Sequence, residues 1–125
     1  MRHVMGLQKE YFIAISNGTK KYELRLNDEK RKMIHKNDII TFLMEPDRIE
    51  NVDTMVTDLI YFDNFQDVLD KIDIKLLAPN KSREELLNDL NKYYSIDKQK
   101  KYGAVAIEVD SNLIKEKSCG VITYK

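Results

Sequence analysis

The sequence predicts an α+β domain: a mostly antiparallel, curled sheet with helices packed over its openings. Three observations carry this. Strand-like segments with period-two alternation or β-branched runs recur along the chain. Helical periodicity is confined to the residues before Gly18 and to residues 62–95, and no regular strand–helix–strand alternation joins the two kinds of segment. The 125 residues suit one domain spanning 1–125, with one core and one modest cleft.

Residues 2–5 are short and β-prone. In "GLQKEYFIAISNG", Leu7, Tyr11, Phe12 and Ile15 recur at helical spacing, and Gly18 is placed to end that helix in a left-handed turn. "KKYELRL" alternates as a strand, with Tyr22, Leu24 and Leu26 on the core parity and Lys21, Glu23 and Arg25 on the other. Lys20 falls on the core parity, so its side chain must leave through the turn after Gly18. "NDEKRKMIHKND" opens with cap-type residues and reads as a single helical turn or a loop. "DIITFLM" and "VDTMVTDLIYF" are buried, β-branched strands joined by the polar "EPDRIEN", which predicts an antiparallel hairpin.

Two helices enter late. Phe62, Phe65, Val68, Leu69 and Ile72 are spaced for one, with Asp63 or Asn64 as its cap. Ser82 with Glu85 three residues on is a capping-box pattern for the other, whose apolar stripe is Leu86, Leu87, Leu90, Tyr93 and Tyr94. "YGAVAIEVD" closes as a strand. Phe62, Phe65, Tyr93 and Tyr94 are expected to be packed; Tyr61 and Tyr102 are the other aromatics near a possible groove.

Charge is balanced overall but not along the chain. Residues 1–36 hold nine Lys/Arg against four Asp/Glu, residues 37–90 five against thirteen, and residues 91–125 seven against four. A zero net charge argues against a bulk electrostatic nucleic-acid binder, although two basic ends that meet in space would make a basic face. Lys30, Arg31, Lys98, Lys100 and Lys101 are the candidate phosphate contacts. No apolar run is long enough for a membrane span and no signal-type segment follows Met1-Arg2-His3. The one cysteine, Cys119, fits a reducing, cytoplasmic setting and a semi-buried structural role.

Most chemical motifs are missing. There is no phosphate-binding glycine loop, no paired-cysteine spacing and no H-E-x-x-H, and His3 and His35 have no second metal ligand at a suitable spacing. No metal or cofactor is expected. Nothing around Ser16, Ser82, Ser95, Ser111 or Ser118 reads as a nucleophile turn. What stands out is Gly18-x-Lys20-x-x-Glu23-x-Arg25 on one turn and strand. Glu23 and Arg25 share a strand face, offering either a braced ion pair or an acceptor beside a planar donor fork.

That motif, followed by a short basic segment and Asn37-Asp38-x-Ile40-x-Phe42, resembles the ASCH domain family. The family pattern carries glycine where Asn37 stands, and Asn tolerates the same left-handed turn. The resemblance implies a PUA-like fold, a small, mostly antiparallel β-barrel with peripheral helices and a cleft on the motif strand, and an RNA- or modified-nucleoside-binding function. Lys20, Lys21, Glu23 and Arg25 are then the ligand-binding candidates, with Gly18 and Asp38 shaping turns. One branch of the family hydrolyses acetylated cytidine with a lysine, a threonine and a glutamate. Lys20 matches the lysine, but Glu23 stands in the threonine's place and Pro79 near the glutamate's. Binding therefore ranks ahead of hydrolysis of a nucleoside amide or RNA phosphodiester. A protein-interaction domain using the acidic middle segment ranks third.

Overall fold

The computed structural model describes residues 1–112; Ser118 and Cys119 lie outside them. In chain order the elements are β1 (Arg2–Leu7), α1 (Lys9–Ser16), β2 (Tyr22–Leu26), a 3-10 turn (Arg31–Met33), β3 (Ile39–Met44), β4 (Asn51–Phe62), α2 (Phe65–Lys71), α3 (Ile74–Leu77), α4 (Arg83–Tyr93), α5 (Ile96–Tyr102) and β5 (Ala104–Asp110). The strands form one sheet in the order β1-β3-β4-β5-β2. β1 runs parallel to β3 and the other neighbours are antiparallel, including the β3–β4 hairpin.

The sheet curls into a half-barrel instead of closing. β1 and β2 are its two edges, and among the described residues no ladder joins them. The closed barrel implied by the resemblance is thus replaced by an open one with a polar side chain across the gap: Arg25 Nη2 on β2 donates to the Gly6 carbonyl on β1 at 2.9 Å.

β5 organises the core because it lies between β4 and β2 and is buried on both faces. Val105, Ile107 and Val109 join Met5, Leu7, Phe12, Ile15, Ile40, Phe42 and Val56 on one face. Ala104 and Ala106 face Leu24, Leu26, Phe65, Val68, Leu69, Leu77, Leu86 and Leu90 beneath the late helices. The capping box at Ser82 and Glu85 is present, and Asn64 caps α2 by accepting from Asp67 N–H.

Four helices, not two, stand between β4 and β5. The additional pair, α3 and α5, is short and lacks an apolar stripe long enough to reveal itself by periodicity. Each is set by local chemistry: Asp73 accepts from Lys75 N–H, Ser95 accepts from Lys98 N–H, and Gly103 at φ 73° ends α5. Within the acidic middle segment Glu45, Asp89 and Asp70 pair with the segment's own Arg48, Lys81 and Arg83, and Asp53 pairs with Arg2 from β1.

Asn37 adopts φ 75°, the left-handed turn its type tolerates, and aims the buried Asp38 back at β1. Asp38 Oδ2 accepts from His35 N–H at 3.0 Å and lies 2.8 Å from His3 Nε2, while its Oδ1 is 3.2 Å from the Met1 amine. His3 is therefore occupied at the β1–β3 junction and does not reach a cleft. The bond with His3 is the main reason that the Asp38 pKa falls to about 2. An acid held below its ordinary value contributes stability that is complete above that value and is lost as pH falls through the folded one. Asp38→Asn should accordingly destabilise the domain by about 1–2 kcal/mol near neutrality, with the gap shrinking as pH drops from about 4 towards 2. Urea unfolding of both proteins across that range checks this; a gap independent of pH would contradict it.

Candidate functional site

The functional candidates gather where the sheet fails to close. Glu23 and Arg25 are opposite Ile107 and Val105 in the β2–β5 register, and opposed residues share a face, so both side chains turn to the face of Val105 and Ile107. There they meet the end of β1 and the start of α1. Leu24 and Leu26 take the other face, so β2 is buried on both sides and Glu23 itself is only 8% exposed.

Gly18 at φ 84° reverses the chain after α1, and Lys20 N–H then donates to the Ala14 carbonyl. This turn sends the Lys20 side chain inward, where it is 4% exposed. Its Nζ lies 2.5 Å from Tyr22 O, 2.7 Å from Leu77 O and 3.4 Å from Glu23 Oε1, and 5.2 Å from the centre of the Tyr11 ring. An ammonium carries three donors, and three oxygens surround this one. The other Glu23 oxygen, Oε2, accepts from Arg25 Nε at 2.8 Å. Arg25 uses one more donor on Gly6, which leaves its Nη1 group and the second Nη2 hydrogen unengaged among the described residues.

Burial dominates the protonation of this cluster and is opposed by pairing. It lowers the Lys20 pKa, with the Glu23 charge only partly offsetting it. It pushes the Glu23 carboxyl up, but the cations of Arg25 and Lys20 outweigh it and hold the acid below its usual range. Burial lowers Arg25 too, and the Glu23 charge more than restores it.

Above the triad lies a cavity of about 620 Å³, a size typical of small-molecule sites. Its floor is Lys20, Glu23, Leu24 and Arg25. One wall is Gly6, Leu7, Gln8 and Tyr11; the other is Leu86, Asp89, Leu90, Tyr93 and Tyr94, with Leu77, Lys81 and Glu45 completing the lining. Lys81 ties the walls together, pairing with Asp89 of α4, lying 3.9 Å from Glu10 Oε1 of α1 and 5.6 Å from the Tyr11 ring centre. The lining cations Lys20, Arg25 and Lys81 are matched by Glu23, Glu45 and Asp89.

The other sequence candidates fall elsewhere. Lys21 precedes β2 and does not line the cavity; its backbone pairs with Leu76 and Val109. Gly18 and Asp38 shape turns outside it. Lys30 is exposed, Arg31 lies 3.8 Å from Asp28 Oδ2, and neither lines the cavity. Lys100 and Lys101 line a separate cavity of about 670 Å³ with Phe62 and Tyr102, and Lys98 lines neither. Tyr93, expected to be packed, is 70% exposed, while Tyr94 beside it is partly buried; both line the cavity. Among the described residues no group of three or more His, Cys, Asp or Glu side chains could hold a metal ion. None of their helices is long and apolar enough to cross a membrane.

Sequence reasoning missed Tyr11, Gln8, Glu45, Lys81 and Asp89. Tyr11 carried the helical spacing of a core residue. The remaining four are isolated polar residues with no motif between them.

Comparison with known proteins bears on the same residues, since the family model of the ASCH domain matches residues 5–112. The chain belongs to the ASCH domain family. A crystal structure of the hypothetical protein PH0355 is 38% identical, with a TM-score of 0.77, covering 88% of this chain and 98% of that one. The solution NMR structure of protein PF0455 from Pyrococcus furiosus is 36% identical, with a TM-score of 0.71, covering 88% and 96%. No curated protein matches the chain. In this ASCH domain the motif residues Lys20, Glu23 and Arg25 are one interlocked ion triad under the cavity.

Removing the shared anion leaves two buried cations unpaired. Glu23→Gln should therefore destabilise the domain by about 3–5 kcal/mol, whereas Lys20→Met, which leaves the Glu23–Arg25 pair intact, should cost clearly less. Chemical denaturation of the two variants measures the difference. Equal and small losses would show that the triad contributes little to holding the edges together.

Proposed function

We propose that this ASCH domain binds an uncharged nucleobase, presented by RNA or by a modified nucleoside, in the cavity over the Glu23–Arg25 pair. The observation that supports this best is the unused bonding capacity of that pair. Among the described residues Arg25 retains three N–H donors and Glu23 retains carboxylate lone pairs, fixed side by side and largely shielded from water. An adjacent acceptor and donor on the edge of a base complements such an arrangement. The half-barrel with its helix-walled cleft is read as a PUA-like arrangement serving this purpose.

Charge balance around the cavity favours a neutral group inside it, since an added phosphate would meet Glu23, Glu45 and Asp89 as well as the cations. Lys20, encircled by protein oxygens, braces Glu23 in this reading instead of meeting phosphate. Phosphates of a longer ligand then lie outside the cavity, with Lys30 and Arg31 as candidates on one side and Lys98, Lys100 and Lys101 on the other.

A second reading, hydrolysis of an acylated nucleoside, draws support from the lowered pKa of Lys20, the change an amine base or nucleophile needs. Incubation of acetylated cytidine with wild type and with Lys20→Ala tests it; equal product from both removes Lys20 from any catalysis.

For the binding reading, nucleosides and short RNAs are titrated at several salt concentrations against wild type and Arg25→Lys. The variant keeps the positive charge and loses the planar fork. Nucleoside affinity should fall at least about tenfold in a variant shown by circular dichroism to be folded, and should vary little with salt because few phosphates are engaged. Undiminished affinity in folded Arg25→Lys, or no nucleoside binding by wild type, would overturn the proposal.

A further inference from the structure

The mouth of the cavity holds a feature that base recognition inside it does not use. Of the three tyrosines in its lining, Tyr11 and Tyr94 are partly buried and Tyr93 is 70% exposed. Tyr94 is fixed from behind, stacked on Phe65 at 5.2 Å between ring centres. Tyr93 stands 6.3 Å from Tyr94 and tilted 44° to it, so the two do not stack and cover each other. Its hydroxyl accepts a hydrogen bond from Gln8 Nε2 at 2.9 Å, which ties the end of α4 to the start of α1 across the mouth.

A lone exposed aromatic ring is unremarkable on a protein surface. This one differs in that its polar end is anchored while its ring stays open at the exposed edge of the cavity lining. An anchored ring loses little freedom when something stacks on it. The neutral lining leaves the backbone of a polymeric ligand outside, which brings the neighbouring base to the mouth.

We infer that Tyr93 is a stacking platform for the base next to the one held in the cavity, so that the preferred partner is an unpaired, single-stranded stretch of RNA and not a free nucleoside. The inference rests on the base-binding reading. It adds a second subsite made by α4, outside the Lys20–Glu23–Arg25 triad. A double helix would not serve, because both the inserted base and its stacked neighbour must be unpaired.

The test compares wild type, Tyr93→Phe and Tyr93→Ala. The probes are the four ribonucleosides, the four single-stranded homohexamers, and hexamers with one central base and abasic positions elsewhere. Tyr93→Ala should weaken binding of the preferred homohexamer by about 5- to 150-fold more than it weakens binding of the nucleoside, that excess being the range of base–aromatic stacking. Tyr93→Phe, which keeps the ring and loses the Gln8 bond, should stay within about threefold of wild type. Abasic neighbours should reduce wild-type affinity by a similar factor, and Tyr93→Ala should then lose no more than it loses with the nucleoside. A hexamer affinity unaffected by Tyr93→Ala, or equal losses for nucleoside and hexamer, overturns the platform while leaving base binding in place. Absence of nucleoside and hexamer binding by wild type overturns base binding itself.

Discussion

The Glu23 carboxylate is the joint on which this fold and its cavity depend. One oxygen faces Lys20, whose ammonium is bound to the carbonyls of Tyr22 and Leu77; the other holds Arg25, which reaches the Gly6 carbonyl. Through a single anion, β2 is therefore connected to α3 above it and to β1 across the open side of the sheet. A backbone ladder at that position would have closed the barrel and removed the cavity. A side-chain bridge holds the edges at a fixed separation and leaves a space over it.

Burying three charges is expensive, and a hydrophobic filling is often as stable as a buried ion cluster. What the ions provide here is a polar floor that stays in one geometry. Each member is pinned by at least two partners, so Glu23 is ionised and Arg25 has its free edge directed before any ligand arrives. The desolvation that costs stability is the same feature that strengthens a hydrogen bond to an incoming polar group, because little water competes for it. Cation and anion in equal number around the cavity also spare the fold the repulsion that a purely basic site would impose.

Local chemistry made much of this legible in the sequence. The capping box at Ser82 and Glu85, the β3–β4 hairpin and the stop at Gly18 follow from residue type and spacing alone, and the left-handed Asn37 follows from the family resemblance. The parity conflict at Lys20 was visible as well, and it marks where the polar floor forms. Period-two alternation failed at β2 in one respect: it assigned Glu23 and Arg25 to the face opposite the core, whereas a curled sheet has a second buried side. Closure was not legible either, since whether β1 pairs with β2 is decided by curvature over the whole sheet. α5 escaped because its buried residue is Gln99, which accepts from Phe65 N–H and donates to Asn91 and Tyr94, so no apolar stripe announces it. Tyr93 was misplaced because, of the two tyrosines that end the stripe, Tyr94 is the one that stacks on Phe65, and Tyr93 is left exposed.

The geometry also accounts for the spacing of the motif without reference to a ligand. Gly18 provides the reversal, Lys20 enters from the turn, and Glu23 and Arg25 sit two residues apart because only same-face strand neighbours can share a carboxylate at hydrogen-bond distance. Every motif side chain has a structural partner, so the motif specifies a braced polar floor. It does not specify the choices of base and of polymer length that the proposed binding requires. Those choices belong to the walls, where α1 and α4 contribute Gln8, Tyr11, Asp89 and Tyr93 and the segment between α3 and α4 contributes Lys81. Of these, Gln8 and Tyr93 can change without unpairing a charge or opening the core, which makes them the positions on which ligand preference can shift at small cost in stability.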